Sequence, residues 1–249
     1  MEVLLLTSLI FRKFQLMKNW TIENSLEIYN IEGWGAGYFG INKKGHLVVR
    51  PQLASKHEID LKELAEDIKR KGYALPALIR FSDILHSSIA KLANAFKKAS
   101  EEYGFKGNYH GVYPIKVNQQ RQVVEEVVKF GRNYNIGLEA GSKPELHAIL
   151  AIMHNPEALL ICNGYKDEQF IRLALMGQKL GKKIFIVVEK LSELKIIIKV
   201  ALELGIKPNI GFRIKLVNGG SGRWAGSSSA RARRPRSFSW WGRCAARCA

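Results

Sequence analysis

The sequence contains few cysteines and no apolar run long enough to span a bilayer. Cys162 lies in an apolar segment, and the other two cysteines, Cys244 and Cys248, lie near the C-terminal end. Three cysteines form no disulfide framework, which fits a reducing cytoplasm. The apolar run in residues 1–11 is too short to cross a membrane. Its acid at position 2 and its lack of a small-residue cleavage pattern argue against a secretory signal. We therefore predict a cytoplasmic protein without membrane association.

A dinucleotide fingerprint of the GxGxxG type is also missing, although the chain repeats an apolar segment five times. The segments begin near Val112, Ile136, Leu159, Ile184 and Ile210. Each ends close to one polar residue, and these residues are spaced by 23, 24, 26 and 24 positions: Lys116, Glu139, Asn163, Glu189 and Arg213. Residues 143–153, 167–180 and 192–204 have apolar residues at helical spacing, with Ser192 placed to cap the third helix. This alternation predicts parallel strands joined by crossover helices.

The predicted fold class is α/β, a partial (β/α)₈ TIM-type barrel with about five of its eight units. Polar residues at strand ends suit such a barrel, because its active site lies at that face. An open doubly wound sheet is the alternative, although the first strand leads into Val117-Asn-Gln-Gln120 rather than into glycines. Upstream, residues 29–49 alternate apolar and polar with Gly45 in a turn, which predicts a β-hairpin. Helices are expected at 60–71 and 82–102.

Lys116, at the exit of the first of these strands, is the strongest candidate for chemistry. A buried ammonium is unfavourable unless it is paired or reactive. Burial also lowers the pKa of a lysine, which prepares a Schiff-base nucleophile. The competing interpretation is a lysine that reaches the surface from a strand end. Glu139 and Arg213 could be structural ion-pair partners, and we assign no site role to Asn163 or Glu189.

Five motifs, in order along the chain, resemble the biosynthetic arginine decarboxylases. They are Trp34-Gly-Ala-Gly-Tyr-Phe-Gly-Ile-Asn42, Leu75-Pro-Ala-Leu-Ile-Arg-Phe-Ser-Asp-Ile-Leu85, Tyr113-Pro-Ile-Lys-Val-Asn-Gln-Gln120, Gly137-Leu-Glu-Ala-Gly-Ser-Lys-Pro-Glu145 and Ile161-Cys-Asn-Gly-Tyr-Lys-Asp167. The resemblance covers residues 20 to 228 approximately. Related ornithine and diaminopimelate decarboxylases share the lysine and the barrel, but the third and fifth motifs point to the arginine branch.

The resemblance implies a fold, a reaction and a set of site residues. The family binds pyridoxal phosphate on an alanine-racemase-like (fold type III) barrel with an added β-domain. It converts L-arginine to agmatine and carbon dioxide in polyamine (spermidine) biosynthesis. By resemblance, Lys116 binds the cofactor covalently, Glu139 lines the cofactor site, and Arg213 lies where related enzymes place an active-site arginine. Mg²⁺ is implied without any assigned ligand, and the intact protein is expected to be a homo-oligomer.

The family pattern breaks after the loop Gly219-Gly-Ser-Gly-Arg-Trp-Ala225. Residues 223–249 contain seven arginines but no lysine and no acid, so the rest of the chain carries +10 of the formal charge of +17. We interpret this tail as aberrant, from a shifted or mispredicted reading frame. A basic tail that binds nucleic acid is the competing hypothesis, and we expect no specific nucleic-acid partner. Cys244 and Cys248 lack the second ligand pair of a zinc site.

These observations divide the chain into four parts. Residues 1–19 form a possible extension, 20–72 a β-hairpin and helix, 73–222 the partial cofactor-binding barrel, and 223–249 the tail. Because a closed barrel needs eight strands, the sequence as it stands is expected to be inactive. Two alternatives remain open: a non-catalytic homologue that binds pyridoxal phosphate or regulates a decarboxylase, and an enzyme similar to the diaminopimelate or ornithine decarboxylases.

Overall fold

The computed structural model describes residues 20–53 and 57–213, so the predicted extension and tail lie outside the described residues. The described chain begins with two short helices, α1 (Ile22–Ile28) and α2 (Ile31–Gly35). Thr21 caps α1, because its hydroxyl accepts a hydrogen bond from the Asn24 amide and the Asn24 side chain bonds back to the Thr21 amide.

A small antiparallel sheet follows these helices. Strands β1 (Phe39–Ile41) and β2 (Leu47–Val49) form the predicted hairpin, with Gly45 at φ 77° in its turn. Strand β3 (Ile59–Asp60) pairs with β2. The strand prediction is wrong for residues 31–35, which are helical. Here Ile31 is buried, and the Trp34 ring lies 5.0 Å from the ring of Phe39, so a short helix covers the hairpin.

Two helices separate this sheet from the repeated units. Helix α3 (Leu61–Arg70) begins after Asp60, whose carboxylate accepts hydrogen bonds from the Lys62 and Glu63 amides. Helix α4 (Ser82–Glu102) has the predicted bounds.

The repeated segments form a second sheet of five parallel strands in chain order. Its strands are β4 (Val112–Pro114), β5 (Gly137–Ala140), β6 (Leu159–Cys162), β7 (Lys183–Val188) and β8 (Asn209–Phe212). The helices between them are α5 (Arg121–Gly131), α6 (Lys143–Ile152), α7 (Glu168–Lys179) and α8 (Leu191–Leu204). This arrangement confirms the predicted partial barrel.

The main core lies between this sheet and its helices. Alternate residues of β7 are buried, and Leu160 and Ile184, which are register partners, are fully buried. They pack with Ile171 and Ile197 from α7 and α8. Each such side chain contributes about 1.5–3 kcal/mol on burial, so the period of two along the strands fixes which face meets the helices.

The close approach of neighbouring strands requires glycine at position 137. A Cβ built there would lie 1.9 Å from the Leu159 carbonyl oxygen. No helix in the described ranges 20–53 and 57–213 is long and apolar enough to cross a membrane.

Candidate active site

Lys116 and Glu139 meet at the carboxyl edge of the five-stranded sheet. Lys116 lies in the 3₁₀ turn Ile115–Val117 that follows β4, and Glu139 lies in β5, in register with Pro114. The Lys116 Nζ donates a hydrogen bond to Glu139 Oε1 at 3.0 Å. The structure therefore brings together two of the three candidate residues.

The burial inferred for Lys116 is wrong, because its side chain is 59% exposed. Strand β4 ends at Pro114, and the following turn directs Ile115 into the core and Lys116 outward. The Glu139 side chain is only 17% exposed, so the carboxylate is the sheltered partner. An exposed primary amine held by a carboxylate is accessible to a carbonyl compound from solvent.

Arg213 lies at the same edge but in a second pair. Its amide donates to the Val188 carbonyl, and its Nε lies 3.6 Å from Glu189 Oε1. Within the described residues, no hydrogen bond or ion pair joins Arg213 to Lys116 or Glu139. Glu189, a residue without an assigned site role, is thus the partner of a candidate residue. Its place at a strand end in the repeated series was the available signal.

Two first-turn glutamates hold the backbone at this edge. Glu145 Oε2 accepts from the Gly141 amide at 2.6 Å, and Glu193 Oε2 accepts from the Glu189 amide at 2.9 Å. Each carboxylate reaches back four residues, from a helix to the end of the preceding strand. Helix α8 begins at Leu191 after Lys190, whose carbonyl accepts the Glu193 backbone amide, so Ser192 lies inside the first turn and the predicted serine cap is wrong.

Gln119 and Asn163 complete the polar groups near the strand ends. The Gln119 side chain donates to Glu145 Oε1 at 2.9 Å, which ties the loop after β4 to the start of α6. The Asn163 backbone N–H donates to the Ala140 carbonyl at 2.8 Å. These contacts order the loops and need no ligand.

A pocket of about 520 Å³ opens between the loops that follow β5, β6 and β7, and it includes none of the three candidate residues. Its lining includes Tyr165 and Lys190, whose ammonium lies 3.9 Å from the centre of the tyrosine ring. The Lys143 and Asp167 side chains, also in the lining, form an ion pair at 2.6 Å. Lys143 is therefore paired with a carboxylate, and Lys190 with an aromatic ring.

The residues present fit pyridoxal phosphate better than they fit Mg²⁺. Lys116 offers the amine that can attach to an aldehyde, and Glu139 and Arg213 offer opposite charges at the same edge. The metal-like cluster His46, Asp60 and Glu63 has ligand atoms within 4.8 Å of one another. However, Asp60 bonds to His46 and Asn42, Glu63 pairs with Lys44, and Mg²⁺ prefers oxygen ligands. This cluster does not fit Mg²⁺.

The five parallel strands and their helices place the chain in the class of β/α barrel domains, with Lys116 just after the first strand and Glu139 on the next. Residues 88–232 match the family described as pyridoxal-dependent decarboxylase, pyridoxal binding domain. The chain belongs to this family.

Within the family, the chain is homologous to biosynthetic arginine decarboxylases. It is 56% identical over 211 residues to the enzyme of that name from Phocaeicola vulgatus, and 54% identical over 208 residues to that from Bacteroides thetaiotaomicron. These matches cover 85% and 84% of this chain but 33% of each relative. The chain thus spans about a third of the length of these relatives.

Solved structures agree with this placement. The biosynthetic arginine decarboxylase of Campylobacter jejuni superposes with a TM-score of 0.67 at 34% identity, over 74% of this chain and 30% of that one. A diaminopimelate decarboxylase from M. jannaschi gives a TM-score of 0.54 at 23% identity, over 72% and 36% of the two chains, which shows the fold alone. The resemblance to biosynthetic arginine decarboxylases is confirmed.

Proposed function

We propose that this protein decarboxylates L-arginine to agmatine with pyridoxal phosphate held on Lys116. The observation that carries the proposal is the Lys116–Glu139 pair at the carboxyl edge of the sheet, within a chain 56% identical to a biosynthetic arginine decarboxylase. Pyridoxal phosphate, when bound, supplies the electron sink for the loss of carbon dioxide. The choice of arginine, a role in polyamine synthesis and a homo-oligomeric state rest on the relatives.

The residues of this chain would attach, orient and bind the cofactor. Lys116 is the covalent attachment point, and its exposed amine is open to an incoming aldehyde. Glu139 holds and orients the Lys116 ammonium through a hydrogen bond of 3.0 Å. The Arg213 guanidinium is a cofactor-binding group, oriented by Glu189 on the neighbouring strand. Mg²⁺ is given no ligands and no step.

A non-catalytic homologue that binds pyridoxal phosphate, or that regulates a decarboxylase, is the alternative from a different class. The retained pair of Lys116 and Glu139 favours a cofactor-binding protein over a regulator that binds no cofactor, and turnover separates an enzyme from a non-catalytic binder. Diaminopimelate or ornithine decarboxylase activity is the alternative within the same chemistry, and only substrate comparison separates it.

The proposal is tested with a chimera in which residues 20–213 replace the matching third of the Phocaeicola vulgatus relative. We expect carbon dioxide and agmatine from labelled L-arginine, but no product from L-ornithine or meso-diaminopimelate. Lys116→Ala should abolish turnover. Lys183→Ala should not reduce turnover, because it removes an ion-paired lysine at the first residue of β7, away from the carboxyl edge of the sheet.

The same assay includes the 249-residue chain alone, which we expect to release no carbon dioxide above its Lys116→Ala variant. We expect this inactivity because the described residues supply five parallel strands, whereas a closed barrel has eight. A soluble chimera that binds pyridoxal phosphate but turns over none of the three amino acids would favour the non-catalytic alternative.

A further inference from the structure

Lys166 and Glu193 are the buried charged side chains of the described part of the chain. Lys166 lies in the loop after β6, and Glu193 lies in the first turn of α8. The Lys166 Nζ is 3.7 Å from Glu193 Oε2 and has no exposed surface. The Lys166 amide also donates to Glu193 Oε1 at 3.1 Å. The two residues are therefore joined through both backbone and side chain.

The pair is a costly way to stabilise a loop. Burial lowers the pKa of Lys166, and the nearby carboxylates of Glu193 and Glu189 oppose that shift. Desolvation of two charges often cancels their attraction, and an apolar pair of similar size can be equally stable. The contacts that the pair makes with other groups are therefore more informative than the ion pair itself.

Those contacts converge on Glu189. Glu193 Oε2 accepts the Glu189 amide, so Glu193 holds the backbone of Glu189. The Lys166 Nζ donates to the Gly164 carbonyl, and the Gly164 amide donates to Glu189 Oε1 at 2.9 Å. The Glu189 carboxylate is thus held through Gly164, and the same oxygen faces Arg213 at 3.6 Å.

We propose that Lys166 and Glu193 are a positioning pair that fixes the Glu189 carboxylate opposite Arg213 at the carboxyl edge of the sheet. The pair contacts neither Lys116 nor Arg213, so it acts through Gly164 and Glu189. The significance of Arg213 as a cofactor-binding group rests on the proposed function, whereas the positioning itself rests on these contacts alone.

The test compares amide hydrogen exchange in the full chain and in Lys166→Met, Glu193→Gln and the double variant. In Lys166→Met, the amides of Gly164 and Glu189 should exchange roughly tenfold faster or more, since their acceptors are no longer held. The amides of the buried strand β7 should keep their rates. Lys183→Met removes the exposed lysine paired with Glu157 and is the control, with no change expected at either amide.

The double variant keeps the test valid if Lys166→Met fails to fold, because it leaves no unpaired buried charge. It should show the same local acceleration. Unchanged exchange at Gly164 and Glu189 would overturn the proposal. Equal acceleration throughout β7, or unfolding of both Lys166→Met and the double variant, would also overturn it, because the pair would then support the fold as a whole. Uniformly rapid exchange in the unsubstituted chain would overturn it because the pair would then not form.

Borohydride reduction of the chimera described above with pyridoxal phosphate separates this proposal from the proposed function. Local acceleration without any cofactor trapped on Lys116 would contradict the proposed function and support the positioning pair. Cofactor trapped on Lys116 together with unchanged exchange in the variants would support the function and overturn the positioning pair.

Discussion

Single residues at the carboxyl edge are constrained by backbone contacts, and Gly164 shows this most clearly. It has φ 74°, and a Cβ built on it would lie 2.6 Å from the Gly141 carbonyl oxygen. Gly181 has a similar φ of 86°, but a Cβ there would meet nothing within 4 Å. Both glycines have a positive φ, but they differ in the space that a Cβ would find.

Alanine substitution should separate these two effects. Gly181→Ala should lower the free energy of unfolding by about 1 kcal/mol, the cost of a left-handed conformation for a residue with Cβ. Gly164→Ala should cost about 1–3 kcal/mol more, because the loop after β6 must move away from Gly141. Urea denaturation measures both. Equal losses would show that the loop yields without cost.

The pairs at this edge illustrate how far the sequence alone reaches. The repeated positions of Lys116, Glu139 and Arg213 were visible in the sequence, because parallel strands place their ends together. The exposure of Lys116 was not visible, because it depends on the turn that follows Pro114. The pairing of Arg213 with Glu189 depends on the register of β7 and β8, which no local pattern records.

Among the elements, helix α3 depends on one carboxylate. Burial would raise the pKa of Asp60, but hydrogen bonds from His46, from the Glu63 amide and from Asn42 outweigh it and lower the pKa to about 2. A depressed pKa in the folded state means that this carboxylate stabilises the fold above its unfolded pKa. That contribution is lost as the pH falls from about 4 towards 2.

Asp60→Ala should therefore lower Tm most at pH 5, and the difference from the unsubstituted chain should shrink as the pH approaches 2. The helix cap and the His46 contact are both lost in this variant. Glu66→Ala, on an exposed position of the same helix, should follow the unsubstituted chain. Circular dichroism melts at several pH values measure this. A Tm difference that stays constant from pH 5 to pH 2 would contradict the assignment.

The elements themselves were largely predictable from periodicity. Helix α4 has the predicted bounds, and the five parallel strands occur in the predicted order. The exceptions are local. Residues 31–35 form a helix, because Ile31 packs inward and Trp34 covers the hairpin. Helix α8 begins one residue before Ser192, and Glu193 in its first turn accepts a hydrogen bond from the Glu189 backbone amide.

At the scale of the whole molecule, the described residues provide one edge of the proposed site. The Lys116–Glu139 pair joins β4 to β5 and the Glu189–Arg213 pair joins β7 to β8, with the loop network of Glu145, Gly164 and Lys166 between them. A cofactor attached to Lys116 would lie along this edge. The central claim is therefore that Lys116 is the attachment point.

Reduction with borohydride, followed by peptide mapping, tests that claim most directly. The chimera is incubated with pyridoxal phosphate, reduced and digested, and the modified lysine is located by mass spectrometry. We expect one major adduct on the peptide that contains Lys116, its loss in Lys116→Ala, and its persistence in Lys183→Ala. An adduct on another lysine, or an undiminished yield in Lys116→Ala, would contradict it.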